Sequence, residues 1–322
     1  MIGLALVGLL VGPHSVSPSD TLRVLGAMIM GHTDFTGSDA VISAVRVPRV
    51  LVALLVGAGL GVAGAAMQGV CRNPLAEPGI TGVSSGAAAA AVILIVTGVA
   101  SAHWLVLPLG AFLGALAAVT IVHTCGALTG SISSLLLVGI ALSAFLGAII
   151  NAVVANASDA EDARSAMFWL NGSLVGRTMN DVAISFIPLL IGVAVVLWFA
   201  RDLNLLSLGD ATAVTSGMNV GRTKQWIMAG AALATGAGVA ITGVISFVGL
   251  VVPHLIRLIW GSDHRFLLPA SAILGGIFLL AADTVARLLF YPIVLQTGTV
   301  TAFIGAPFLL VLVLKQARKG LS

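Results

Sequence analysis

The sequence predicts an all-α polytopic membrane protein with about ten transmembrane helices, and two observations predict it. Charged residues are 8% of the 322, against about 25% in a soluble chain, so too few exist to cover a water-facing surface. Apolar residues are 59%, and they gather into runs long enough to cross lipid. Thirty-eight glycines run through the chain, a share suited to helices whose backbones approach closely in a membrane. The formal net charge of +3 is small and dispersed, which argues against a nucleic-acid partner. Cys71 and Cys125 have no neighbours at metal-ligand spacing and read as small apolar side chains at span ends.

The expected spans are 1–12, 49–70, 81–100, 103–124, 133–155, 182–200, 226–245, 247–260, 267–290 and 300–315. The first has no basic start, so it does not read as a signal peptide, and at about 1.5 Å per residue it reaches only about 18 Å. Segment 247–260 is also shorter than a comfortable span. Lys and Arg outnumber acids in the loops on one side, where Arg72, Arg222, Lys224 and Arg257 fall, and do not on the other. By the positive-inside rule both termini are expected in the cytoplasm. Residues 1–322 then form a single transmembrane domain with external loops at about 13–48 and 156–181. Each of these holds a weakly amphipathic piece, Leu22–Met30 and Ala163–Leu174. The long cytoplasmic loop is 201–225, whose Gly209-Asp210-Ala211 and Gly217-Met218-Asn219-Val220-Gly221 pieces are expected to be two very short helices. Such a protrusion gains nothing from lipid and suits contact with a partner protein.

Gly57-Ala58-Gly59 with Gly64 recurs as Gly236-Ala237-Gly238 with Gly243, which suggests an inverted repeat; independent selection of small residues for packing also gives this pattern. Polar stretches border several spans. Gln68 to Gly79 contains two prolines and two glycines and reads as a structured re-entry turn. Thr129 to Ser134 sets hydroxyls at the mouth of the fifth span, as path lining or as helix caps. His254 reads as a capping or hydrogen-bonding group rather than a ligand. Asp283 and Arg287, four apart on one helix, can neutralise each other. The sequence contains no G-x-x-x-x-G-K-[ST] and no nucleophile–base motif, so transport energy must come from a gradient or another subunit, and the chain is not expected to be an enzyme.

Several of these stretches carry a resemblance. Arg46-Val47-Pro48-Arg49, Gly64-Ala65-Ala66-Met67-Gln68, Arg72-Asn73-Pro74-Leu75-Ala76-Glu77-Pro78, Gly82-Val83-Ser84-Ser85-Gly86-Ala87 and Phe247-Val248-Gly249-Leu250 with Pro253-His254 are similar to the FecCD-type permeases. So are Asp263-His264-Arg265, Ala282-Asp283 with Ala286-Arg287, and Gly305-Ala306-Pro307-Phe308. Members of that family are membrane subunits of binding-protein-dependent ABC importers for iron-siderophores, haem and vitamin B12.

The resemblance implies a second permease copy or paralogue, two cytoplasmic ATP-binding subunits and an external substrate-binding protein, in the inner membrane of a bacterium. It implies no cofactor on this chain, with ATP and Mg on the partner subunits. Arg46 and Arg49 match outward-facing arginines that dock the binding protein, with Arg287 a third candidate; anchoring of the helix start at lipid headgroups is the alternative for the first two. Met67, Gln68, Ser131, Ser133, Ser134, Ser143 and Asn151 are expected along the translocation path or its gate. The 203–224 loop, with Gly209, Asp210, Ala211, Gly217, Met218 and Gly221, is expected to couple to the ATPase. A ferric siderophore is the first substrate expectation, then haem, then cobalamin. The chain departs from the family pattern at Val294-Leu295-Gln296-Thr297-Gly298, where relatives often carry an acid and a proline, and it lacks a basic N-terminal tail. The competing reading is a secondary transporter of a small solute driven by an ion gradient, which would need unpaired intramembrane carboxylates; Asp283 is the one candidate.

Overall fold

The computed structural model of the protein describes residues 8–10, 17–32, 34–129, 132–290 and 292–319. Side chains are described in all of these except 127–129, 132–133 and 315–319. Among the described residues every regular element is helical. In chain order these are α1 (Pro18–Ile29), α2 (Ser38–Cys71), α3 (Val83–Val96), α4 (Val106–Thr129), α5 (Ile132–Ala155), α6 (Ala160–Leu170) and α7 (Met179–Trp198). Then follow α8 (Ala200–Ser207), α9 (Asp210–Thr215), α10 (Val220–Thr242), α11 (Val248–Trp260), α12 (His264–Leu288) and α13 (Thr297–Lys319).

Seven of these are long and apolar enough to cross a membrane, and α3 and α11 are shorter apolar helices. They coincide with nine of the ten expected spans; the tenth, 1–12, lies outside the described residues except for 8–10. The chain is a multi-pass membrane protein.

The second span differs from expectation at its start. A stretch read as external loop up to residue 48 is already helical from Ser38, so α2 is 34 residues long. Pro48 has no N–H to give and ordinarily ends a helix. Here a π-turn over Ile42–Arg46 precedes it, the Val47 N–H reaching back to the Ile42 carbonyl, and the helix passes through.

Helices α2 and α10 form the centre. In each, 78% of the lipid-crossing window is buried inside the chain, against 6% for α5. A glycine ridge brings α2 onto its neighbours: a Cβ at Gly57 would lie 2.3 Å from the Gly275 carbonyl oxygen of α12, and one at Gly64 only 1.9 Å from that of Gly249 in α11. No side chain fits there, so the close approach read from the sequence is real. In the second glycine set Gly238 is looser, facing the Val56 side chain at 3.0 Å, while a Cβ at Gly243 would lie 2.1 Å from the Trp169 carbonyl oxygen.

Each central helix is followed by a broken turn, a short helix and a long one: α2, residues 72–82, α3 and α4; then α10, residues 243–247, α11 and α12. The broken turn after α2 is ordered by its own polar groups. Arg72 ends the helix in the left-handed region (φ 48°), the Asn73 side chain accepts from the Leu75 N–H at 2.9 Å, and a 3₁₀ turn spans Pro78–Thr81.

Candidate functional site

Helices α2 and α12 pack side by side and antiparallel, and each end of this pair holds one polar cluster. Arg49 near the start of α2 meets Asp283 near the end of α12, while Arg72, which caps the end of α2, lies beside the short helices that lead to the start of α12. At about 1.5 Å per residue the clusters stand about 35 Å apart along α2, a bilayer thickness.

The first cluster centres on Asp283, which is fully buried. Arg49 clasps it through Nε and Nη2 at 2.9 and 2.8 Å, Thr297 Oγ1 donates to it at 2.9 Å, and Arg287 Nε stands 3.4 Å away. The i,i+4 pairing expected from the sequence is therefore the weaker contact; the principal partner lies on a different helix. Arg46 donates to the Leu9 and Leu10 carbonyls and Arg287 to the Gly8 carbonyl, which ties the described part of the first segment to the same place. Arg46, Arg49 and Arg287 are 4, 8 and 5% exposed. Arg49 and Arg287 share the Asp283 carboxylate, and Arg46 holds the first segment beside them.

The second cluster pins the hairpin α8–α9. Asp210 accepts from Lys224 Nζ at 2.7 Å and lies 3.8 Å from Arg72 Nη2, which joins α9 to the start of α10 and the end of α2. Asn204 on α8 uses both ends of its amide. Its Oδ1 accepts from the His264 N–H and stands 2.8 Å from His264 Nδ1, and its Nδ2 donates to Asp263 Oδ1 at 2.8 Å. The Asn204 amide and the Arg265 N–H hold the Asp263 carboxyl below its ordinary range.

The glycines of this region mark breaks and are not the short helices expected there. Gly209 (φ 115°) separates α8 from α9, Gly217 (φ 84°) separates α9 from α10, and Gly221 lies in the first turn of α10. Ala211 is in α9, and Met218 follows the Gly217 turn and packs on the main core.

Between the two ends, the expected path residues divide. Met67 and Gln68 are 1 and 3% exposed and packed inside the chain. Gln68 fastens α2 to α11 instead, its Nε2 donating to the Gly249 carbonyl at 3.1 Å and its Oε1 accepting from Arg257. A buried amide must satisfy donor and acceptor alike, and α11 supplies both partners. On α5, Ser134 and Ser143 are half-buried and Asn151 is exposed. Ser131 and the side chain of Ser133 lie outside the described residues.

Sequence reasoning gave no role to Asn204, Lys224, Thr297 or Glu77. The Glu77 carboxylate accepts from the Phe247 N–H at 3.0 Å and so bridges the two broken turns. Phe247 is itself in the left-handed region (φ 71°). Burial pushes the Glu77 carboxyl up, and the Phe247 N–H works against that. His254 meets Phe308 edge-on at 5.6 Å. No group of three His, Cys, Asp or Glu able to hold a metal ion occurs among the described residues.

A model of the FecCD transport family matches residues 1–315. The chain belongs to the FecCD transport family. It is 42% identical over 283 residues to the cobalamin import permease BtuC of Halobacterium salinarum, covering 85% of this chain and 73% of that one. It is 43% identical over 276 residues to the hemin permease HmuU of Yersinia pestis, covering 84% and 82%. A metal-chelate type ABC transporter solved in an inward-facing conformation superposes with a TM-score of 0.85 at 31% identity, covering 98% of this chain and 96% of that one.

This FecCD permease also gives a use to its divergent 294–298 loop. Thr297 bonds Asp283, and the Gly298 N–H donates to the Gly172 carbonyl at 3.0 Å. A Cβ at Gly298 would lie 2.1 Å from the Asn171 carbonyl oxygen. The loop is a strap from α13 to the charged cluster.

Proposed function

We propose that this permease works in the inner membrane of a bacterium as the channel-forming subunit of a binding-protein-dependent ABC importer, moving an iron chelate inward by ATP-driven alternating access. Its termini and the α8–α9 hairpin face the cytoplasm, and two ATP-binding subunits carry ATP and Mg. A second permease, identical or paralogous, covers α5, with Ser134, Ser143 and Asn151 toward the path between them. A ferric siderophore is the first substrate, with haem and cobalamin, the cargoes named for the relatives HmuU and BtuC, as alternatives.

The observation that carries this reading is the hairpin itself, held by polar contacts to α2, α10 and α12 at once. A force applied to it acts directly on the two helices at the core of the chain. Partner subunits must bind the two transport states unequally for that force to shift them. At the other end, Arg46, Arg49 and Arg287 are buried around Asp283, so a binding protein would meet them only as its approach uncovers the cluster, and its acidic groups would then align the complex and speed encounter.

Reversal of Arg46 and Arg49 to Glu tests it. Binding-protein docking and uptake into vesicles are expected to fall while the ATP-binding subunits still co-purify. Unchanged docking refutes the role of these arginines. Uptake driven by a salt or pH gradient without ATP refutes the importer reading and favours a secondary transporter.

A further inference from the structure

At the hairpin end of the bundle, the end of α7, the start of α8 and the first turns of α12 enclose two adjoining clefts of about 420 and 590 Å³. Both are lined by the same two guanidiniums, Arg201 on α8 and Arg265 on α12, and both arginines are exposed. Among the described residues neither is in an ion pair. The nearest acid on the wall is Asp263, whose Oδ1 is taken by Asn204 Nδ2 and the Arg265 N–H.

The larger cleft is also lined by Asn204, Ser207, Ser262 and Asp263 with Leu205 and Leu208, whereas the other walls of the smaller one are apolar. Leu197, Trp198 and Pro269 line the smaller cleft, and Trp198, which ends the α7 span, is 83% exposed. Close by in the chain, Trp260 and Phe266 lie ring to ring at 6.1 Å and are 60 and 48% exposed. Exposed tryptophans at the ends of spans belong at the headgroup level of a bilayer.

We propose that this cleft is a binding site for an anionic phospholipid, its phosphate held between Arg201 and Arg265 and an acyl chain laid along Leu197, Trp198 and Pro269. Guanidinium suits the task because it presents several donors to phosphate oxygens and sheds water readily. Basic clefts between membrane helices at this level recognise phosphate headgroups for the same reason. The occupied lipid would brace the joint between α7 and α8, where the hairpin leaves the membrane. The site does not depend on the proposed transport function.

The test uses the full-length chain purified in neutral detergent, titrated with phosphatidylglycerol, phosphatidylcholine or glycerol 3-phosphate. Bound lipid is counted by native mass spectrometry, and thermal unfolding is followed in parallel. Phosphatidylglycerol is expected to bind more tightly than phosphatidylcholine. Affinity should fall roughly 5-fold for Arg201→Gln or Arg265→Gln and roughly 25-fold for both. Arg201→Lys should retain most of it, and Trp198→Ala should weaken the lipid without creating a preference for glycerol 3-phosphate. Unfolding in phosphatidylcholine should be the same for all variants, which shows that they fold.

Equal binding of the two lipids, or undiminished phosphatidylglycerol binding by the double variant, overturns the proposal. So does full competition by glycerol 3-phosphate, which would mark a soluble-anion site. Displacement of the lipid by co-expressed ATP-binding subunits whose attachment needs both arginines would assign the cleft to protein docking, and overturns it too.

Discussion

Replacing Asp283 by Ala removes the hub of the charged cluster and leaves Arg49 and Arg287 buried without their carboxylate. Asp283 is fully buried and receives two bonds from Arg49 under 3 Å, a third from Thr297, and a longer contact from Arg287. Removing one partner of a buried ion pair costs about 3–5 kcal/mol, because the remaining charge keeps its desolvation penalty. The neutral Thr297 bond accounts for about 1 kcal/mol by itself, so Thr297→Val should be mild. An Arg49→Met, Asp283→Ala double variant should recover part of the loss, since no charge on Arg49 is then stranded. Thermal unfolding of the purified chain in one detergent reads this as a fall on the order of 10 °C for Asp283→Ala. The double variant should fall less than the sum of its singles. Strict additivity, or an Asp283→Ala variant as mild as Thr297→Val, would refute the assignment of Asp283 as the charge that holds α2 to α12.

Gly64→Ala drives a Cβ into the Gly249 backbone and is expected to cost about 1–3 kcal/mol or more, whereas Gly26→Ala on α1, with nothing within 4 Å, should be neutral or slightly stabilising. Unfolding midpoints of the two variants should move apart, and equal midpoints would count against the tight α2–α11 contact. Glu77→Gln keeps an acceptor for the Phe247 N–H without a charge. Because burial raises the Glu77 value, wild-type stability should decline as pH rises from 4.5 toward that raised value and level off above it. The Gln variant should lose this slope and be at least as stable as wild type at neutral pH; an identical slope in both would exclude Glu77 as its source.

Much of the fold was legible because it depends on local quantities. The nine apolar helices that match expected spans follow from runs of apolar residues, and the break after α2 follows from Pro74 and Pro78. The stretch before residue 49 was expected as external loop, and nothing local announces the π-turn that carries the helix through Pro48. The hairpin glycines were expected within short helices; whether a glycine ends a helix or lies in one depends on its backbone angles, which neighbouring contacts select. Met67 and Gln68 were expected along the path from the resemblance; that Gln68 finds Gly249 and Arg257 inside the same chain was not visible.

From the sequence alone came the solvent, the run of helices across it and the resemblance to one family of permeases, because transfer of each segment into lipid is nearly additive along the chain. The tertiary structure decided which polar groups satisfy one another. Asp283 finds Arg49 across 234 positions, and Gln68 finds Arg257 across 189. Inside a bilayer an unpaired charge or amide is costly, so these distant pairs form wherever helix packing brings complementary groups within reach, and that packing is a property of the whole bundle.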